Sequence, residues 1–382
     1  MNWLGVLLKV LHIIENLDRG AVENWLVRML SHARERGIDV DWTFYCTLGQ
    51  PGAMDERARA LCARVIHSRA PLAKKTDFVR ALRSELRIGH YDVVHCHHDI
   101  ISSVYLLALS GIPVHRRIVH VHNADEAVPT HSRLKQHMYR EPMRRVCLFM
   151  ADRIVGISNH TLDTFLAGRT RQHERDVVHY YGVDPTPFER AGADRVEFRR
   201  QLGLPQDALI LLFGGRLVPE KNPVFVVDVI ANLRRIDPRA VAVFAGAGSL
   251  EMAVVARARE LSVENSVRLL EWRNDLPEVM SCSDWFILPR PERPMEGFGL
   301  AVVEAQLAGL RMLLSRGVPD DPLLPTARFR RLPLWAGAEQ WARAAIELIN
   351  SSPPSQTAVL AALKESPMDM DRALTGLLGL YT

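Results

Sequence analysis

Leu209–Ile210–Leu211–Leu212–Phe213 runs straight into Gly214–Gly215–Arg216–Leu217–Val218–Pro219–Glu220–Lys221–Asn222, and a helical pattern then carries from Pro223 to Arg235. An unbroken apolar run of this length suits a strand buried on both faces. Two glycines end it before the loop. Strand, glycine-bearing turn and helix together are the unit from which parallel sheets covered on both faces are built.

The same unit recurs in both directions. Upstream, strand-like runs fall at Val10–Ile14, Val40–Phe44, Val93–His95, Ile118–His122, Arg153–Gly156 and Val177–His179. Downstream they fall at Val241–Ala245, Val267–Leu269, Trp285–Leu288 and Arg311–Leu314. Helical segments such as Glu23–Arg36, Phe78–Arg87, Leu134–Ala151, Glu251–Glu260 and Leu300–Ala308 lie between them. A turn at Asp184–Pro185–Thr186–Pro187 and a charged stretch from Glu189 to Arg200 interrupt the series. The expectation is an α/β chain of two Rossmann-like, doubly wound domains, 1–183 and 206–360, joined by a linker at 184–205. The tail, 361–382, has room for a helix that packs back on the first domain. Ligands of doubly wound sheets bind beyond the carboxyl ends of the strands, so two such domains facing a central cleft would place site residues just after strands.

Composition narrows the class. Hydrophobic residues make up 48% and charged residues 24% of 382, an ordinary globular balance rather than a disordered one. A net charge of +4 calls for no nucleic-acid partner. Cys46, Cys62, Cys96, Cys147 and Cys282 include no Cys-x-x-Cys pair, which argues against a disulfide framework or zinc knuckle and fits a reducing cytoplasm. The apolar start from Met1 to Ile14 is broken by Lys9 and followed by Glu15, and reads as a first strand rather than a signal peptide. No run reaches the ~18 apolar residues of a spanning helix.

Three loops carry chemistry. Glu296–Gly297–Phe298–Gly299–Leu300 precedes a helix in which Glu304 follows. Gly297 and Gly299 let backbone approach a ligand, and a helix N-terminus favours an anion by about 0.3–2 kcal/mol. Carboxylates at 296 and 304 suit vicinal hydroxyls. Arg216 and Lys221, after Gly215, offer a planar fork and a point charge that suit a diphosphate. Gly246–Ala247–Gly248 follows the strand Val241–Ala245. Each motif alone also fits an ordinary helix start or a solvated cation.

In this order the three loops resemble the C-terminal half of the retaining glycosyltransferase family 4. Gly20–Ala21–Val22–Glu23, Asp92–Val93–Val94–His95–Cys96–His97 and Ile154–Val155–Gly156–Ile157–Ser158 are similar to its N-terminal strands and loops. The look is nearest to the bacterial exopolysaccharide and capsule branch, the EpsF-like enzymes. The resemblance implies a GT-B fold and transfer of a sugar from a nucleotide sugar, UDP- or GDP-linked, with no cofactor and no metal. The acceptor would be a hydroxyl on a saccharide or lipid-linked saccharide. Arg216 and Lys221 would hold the diphosphate, Glu304 the ribose and Glu296 the sugar hydroxyls. Gly215, Gly246, Gly297, Phe298, Gly299 and Leu300 would line the donor, and Gly20 and Ala21 would close over the phosphate.

Two departures stand out. Ala21 replaces a second glycine, and Tyr181 stands where the family usually has Asn before Gly182–Val183–Asp184. Histidines also crowd the first half: His95, His97, His98, His115, His120, His122, His131 and His137. Residues two apart on a strand share a face, so His95 and His97 pair, as do His120 and His122. A metal site, satisfied structural histidines and a donor-facing histidine are all open. By the resemblance His122 faces the donor sugar, with His120 and then His97 as alternatives. Basic segments at Arg69–Arg87 and Arg133–Arg145, the second mixed with Met138, Tyr139, Met143 and Val146, suit either an anionic membrane surface or solvent. The membrane reading makes the protein cytoplasmic and peripheral on the inner face of the membrane. An epimerase of the same fold and a non-catalytic nucleotide-sugar-binding scaffold are the competing functions.

Overall fold

The computed structural model describes residues 8–18, 20–124, 133–191 and 195–382. These divide into two units, Met1–Gly182 with Met370–Thr382, and Val183–Asp369.

In chain order the first unit holds β1 (Lys9–Ile14), α1 (Ala21–Glu35), β2 (Asp41–Cys46), α2 (Asp55–Ala60), β3 (Arg64–His67), α3 (Lys75–Gly89), β4 (Val93–Cys96), α4 (Ser102–Ala108), β5 (Arg116–Val121), α5 (Arg133–Met150), β6 (Arg153–Gly156), α6 (Asn159–Leu166) and β7 (Asp176–Val178). The second holds α7 (Thr186–Arg190), α8 (Arg195–Gln201), β8 (Leu209–Gly214), α9 (Pro223–Ile236), β9 (Ala240–Ala245), α10 (Glu251–Glu260), β10 (Val267–Leu269), α11 (Leu276–Ser281), β11 (Trp285–Leu288), α12 (Leu300–Leu307), β12 (Arg311–Ser315), β13 (Phe329–Leu332), α13 (Gly337–Ile349) and α14 (Gln356–Glu365). The last helix, α15 (Met370–Gly379), belongs to the first unit, where it packs on α1.

Both sheets are parallel throughout. Their orders are β3-β2-β1-β4-β5-β6-β7 and β10-β9-β8-β11-β12-β13. In each, the order reverses between the first strand and its later neighbour: β1 beside β4, and β8 beside β11. At such a reversal the helices leave to opposite faces, and a crevice opens beyond the strand ends.

The apolar runs explain the cores. Every residue of β9 is buried, and α9 buries Val226, Val227, Val229, Ile230 and Leu233. Pro223 opens α9, where a missing N–H costs nothing. In the first unit one sheet face is apolar: Leu11, Ile13, Val94, Cys96, Val119 and Val121 join one core cluster. The register pairs His12 with His95 and His95 with Ile118, so alternation puts His12, His95, His97 and His120 on the other face. Trp25 of α1 and Tyr381 cover that face, both almost fully buried.

The segment 184–205 is not extended. Asp184 turns the chain through its Oδ1, which accepts from Thr186 N at 2.9 Å, and α7 and α8 both pack on α11.

Candidate functional site

The crevice at the β8/β11 reversal brings together Arg216, Lys221, Arg290 and Glu296 of the second unit. Phe213 and Gly214 end β8, and Gly215 follows with φ +144°. The chain then makes a short turn, Pro219–Lys221, and Asn222 holds a left-handed φ of +53°. Asn222 Nδ2 donates to Pro289 O at 3.2 Å, tying this loop to the one after β11. Lys221 Nζ reaches Glu296, 2.7 Å from Oε2, and Arg290 Nη1 approaches the same oxygen at 3.1 Å. All three side chains are 12–17% exposed, so the cluster is shielded from water. Burial by itself raises the Glu296 carboxyl, but the Lys221, Arg290 and Arg216 cations hold it below its usual value. Arg216 is exposed on the same loop.

Backbone geometry supports this cluster. Glu296 N donates to Gly317 O at 2.8 Å, and Ser315 Oγ donates to Arg290 O. Gly299 caps α12 with φ +95°, a conformation that needs no Cβ, and Phe298 beside it is buried. Leu300 begins the helix and Glu304 sits one turn on, both half-buried. Gly246 has a different task. A Cβ there would lie 2.0 Å from Gly215 O, because the loops after β8 and β9 run together through Gly215 N to Ala245 O and Leu217 N to Ala247 O.

Arg290 escaped the sequence reading. It stands two residues past β11 in a loop that also holds Pro289, Pro291, Arg293 and Pro294, and its place just beyond a strand at the reversal is the one signal that could have found it.

In the first unit Gly20 caps α1 and Ala21 begins it, its methyl exposed. A Cβ on Gly20 would lie 2.0 Å from Glu23 Oε2. Glu23 is raised to about 7, by burial first and then by the nearby Glu15 and Asp18 charges. Glu23 closes the Gly20–Ala21–Val22–Glu23 motif, whose spacing gives it no role by itself.

His122 lies just past β5. Its backbone N donates to Asp99 Oδ1 at 2.7 Å, and Asn123 Nδ2 donates to Asp99 Oδ2 at 2.8 Å. Burial raises Asp99 to about 6. Both ring nitrogens of His122 have protein partners: His97 Nδ1 lies 3.0 Å from Nε2, and Tyr181 Oη lies 2.7 Å from Nδ1. Beyond His97 comes His12, ring to ring at 3.1 Å; His95 and His120 form a second pair at 3.1 Å. Burial lowers His12 and His122 to about 3, and His95, His97 and His120 well below the ordinary value, so these rings are neutral. Two triads, His12–His95–His97 and His97–His120–His122, bring ring nitrogens within 4.8 Å of one another. Neither contains a carboxylate, and ring-to-ring hydrogen bonds already occupy nitrogens in each. His12 belongs to the cluster although the sequence grouping did not include it.

The basic segments are only partly unpaired. Arg83 donates to Ala108 O and Ser110 O at the end of α4, Arg80 pairs with Asp77, and Arg144 and Arg145 pair with Glu141. Large apolar side chains are exposed nearby: Phe149 (90%), Met138 and Tyr139 on α5, Ile88 on α3 and Leu107 on α4, which packs on both neighbours. His131 and the side chains of Arg133, Lys135 and His137 lie outside the described residues. Among the described residues no helix is long and apolar enough to cross a membrane.

Comparison with known proteins follows the two units. Residues 22–187 match the family described as Glycosyltransferase Family 4, and residues 194–320 match Glycosyl transferases group 1. EpsF of Bacillus subtilis (strain 168) is 26% identical over 381 residues, 98% of this chain and 96% of that one. The D-inositol 3-phosphate glycosyltransferase of Actinosynnema mirum is 32% identical over 76% of this chain and 75% of its own. An Escherichia coli UDP-Gal:alpha-D-GlcNAc-diphosphoundecaprenol alpha-1,3-galactosyltransferase is 27% identical over 69% of this chain and 67% of its own. Among solved structures, Anabaena Alr3699/HepE in complex with UDP-glucose superposes with a TM-score of 0.77 at 18% identity, covering 97% of this chain and 98% of that one. Similarity on this scale runs through both doubly wound units, and the chain belongs to the family 4 glycosyltransferases, with their GT-B fold.

Proposed function

We propose that this glycosyltransferase takes a hexose from a UDP- or GDP-sugar and passes it, with retention, to a hydroxyl of a saccharide or lipid-linked saccharide in bacterial surface polysaccharide assembly. The observation that carries the reading is the Lys221–Glu296–Arg290 cluster at the crevice of the second sheet. Breaking the bond at the anomeric carbon places negative charge on the departing diphosphate. Arg216 and Lys221 stabilise that charge, the start of α12 adds its N–H groups, and Glu304 accepts from the ribose. Glu296 accepts from hydroxyls of the transferred sugar; its ionised state, maintained by Lys221 and Arg290, makes it an acceptor only. Gly215, Gly246, Gly297, Phe298, Gly299 and Leu300 shape the donor site. By family resemblance, His122 with Gly20 and Ala21 also serves the sugar and phosphate.

Attack comes from the face the diphosphate leaves, and a departing phosphate oxygen takes the acceptor's proton. The exposed Phe149, Tyr139, Ile88 and Leu107, set among arginines, support a protein resting on anionic lipid, where a lipid-linked acceptor is found. The relatives are named as transferases, which does not favour an epimerase or a scaffold. The test is a transfer assay with each sugar nucleotide and a lipid-linked saccharide, reading the product's anomeric configuration by NMR. An α-product from an α-donor supports the reading; an inverted product contradicts the mechanism.

A further inference from the structure

We propose that Trp335 and Arg316 form a saccharide subsite at the edge of the second sheet, which holds an acidic sugar residue of the acceptor chain. The proposal rests on the reading that Glu296 accepts from hydroxyls of the transferred sugar.

Trp335 lies in the short turn Leu334–Ala336, just past β13, and is 79% exposed. An indole left in water forgoes one of the largest apolar burials a side chain can supply. Trp25, Trp42, Trp285 and Trp341 are all buried. Beside Trp335 stands Arg316, just past β12, its guanidinium carbon 6.0 Å from the ring centroid. That is the limit of a cation–π contact, so the two are neighbours and the indole stays open. Arg316 is exposed, as is Arg293 in the loop after β11. Among the described residues neither forms an ion pair or a hydrogen bond.

The loop that carries Arg316 is held from both sides. From β13, Arg331 donates to Ser315 O at 3.2 Å and to Val318 O, and pairs with Asp320 at 2.5 Å. From the loop after β11, Arg290 O accepts from Ser315 Oγ, and Glu296 N donates to Gly317 O at 2.8 Å. A Cβ on Gly317 would lie 2.1 Å from Pro291 O, so these two loops run in backbone contact. The backbone of Arg316 is thus fixed relative to Glu296.

An indole beside a guanidinium suits a sugar. A pyranose presents C–H groups on its face, which an apolar ring covers, and polar groups around its rim, which a planar fork of donors meets. That fork matches a carboxylate best, and two unpaired arginines on touching loops favour a sugar that carries one. A nucleobase is the other flat ligand an indole takes. Position decides against it. The sheet order runs β9-β8-β11-β12-β13, so Trp335 lies on the far side of the crevice from the β9 loop. A ligand that reaches it from the crevice passes Glu296, at the sugar end of the donor. From β11 to β13 is about 10 Å at ordinary strand spacing, which a short saccharide bridges.

Indole 1H–15N correlation spectra of the 15N-labelled protein test this, the Trp335 signal being the one lost in Trp335→Ala. Oligogalacturonate should shift that signal and leave in place the signal of Trp272, which is 46% exposed beyond β10. Neutral oligogalactose should bind about tenfold more weakly, and Arg316→Ala should abolish the difference. Trp335→Ala should leave both the melting temperature and the Kd for UMP unchanged. A Trp335 signal unmoved by oligogalacturonate, equal binding of the two oligosaccharides, or UMP binding weakened by Trp335→Ala would overturn the proposal. UMP binding to the wild type reads the donor site by itself, so a failure of the donor reading registers separately.

Discussion

The Lys221 ammonium meets the Glu296 carboxylate at 2.7 Å across 75 residues of sequence. The contact exists because β8 and β11 are adjacent at the sheet's reversal, which brings the loops after both strands to one crevice.

Lys221→Ala removes a cation from the proposed diphosphate site and a partner from Glu296. Steady-state kinetics should show a loss of ~10²–10³ in kcat. The same substitution should move acid unfolding. Glu296 titrates below its usual value in the folded protein, so it stabilises the fold above the ordinary carboxylate range and loses that contribution as pH falls through the lowered value. With Lys221 gone the Glu296 value rises, and unfolding on acidification, followed by circular dichroism, begins at higher pH. An unchanged acid limb would show that the pair contributes nothing.

Gly246→Ala should unfold the second unit at lower temperature. Its Cβ would sit 2.0 Å from the Gly215 carbonyl at φ +146°. Overpacking and backbone strain together cost about 2–5 kcal/mol. Gly309→Ala is the control: φ is +75°, but nothing lies within 4 Å of a Cβ there, which leaves strain of about 1–2 kcal/mol. Equal melting shifts for the two would contradict the close-approach account.

Glu23 supplies a pH dependence of opposite sign. Its value is raised from 4.5 to about 7, so between those values the folded chain holds a proton that the unfolded chain has lost. Stability from this group is therefore fullest below pH 4.5 and is lost as pH rises through about 7. Differential scanning calorimetry of Glu23→Gln should show a melting temperature higher than wild type at pH 8, with the gap closing by pH 5. A gap independent of pH would mean that Glu23 is ionised throughout.

Phe149 is 90% exposed on a helix that also carries arginines. Phe149→Ser should leave the melting temperature unchanged and reduce cosedimentation with vesicles containing anionic phospholipid. Pelleting that ignores both the substitution and the anionic lipid would remove the membrane from the account.

The alternation of buried strands and helices was legible because β1, β8, β9 and β11 are short apolar runs that no surface element resembles. Two edges were not. β3, with Arg64 and His67, and β13, with Arg330 and Arg331, carry charge where an edge strand meets solvent, and charge hides a strand's pattern. At the candidate site, Arg216, Lys221 and Glu296 could be named because each sits in a short motif. Arg290 belongs to none; only the adjacency of β8 and β11 reveals it. The histidine pairs at 95/97 and 120/122 followed from strand alternation, but His12 joined them through the β1–β4 register, which no local spacing encodes. Nor could the sequence show that both nitrogens of His122 are engaged.

The central claim is that the crevice of the second unit binds a nucleotide sugar through Arg216 and its neighbours. Thermal shift with UDP-, GDP- and ADP-sugars, on wild type and Arg216→Ala, tests it most directly. A donor at 100 times its Kd stabilises the fold by about 2.7 kcal/mol. The account predicts a clear rise in melting temperature with one UDP- or GDP-sugar, abolished in Arg216→Ala. A rise that survives the substitution, or none with any sugar nucleotide, would contradict it.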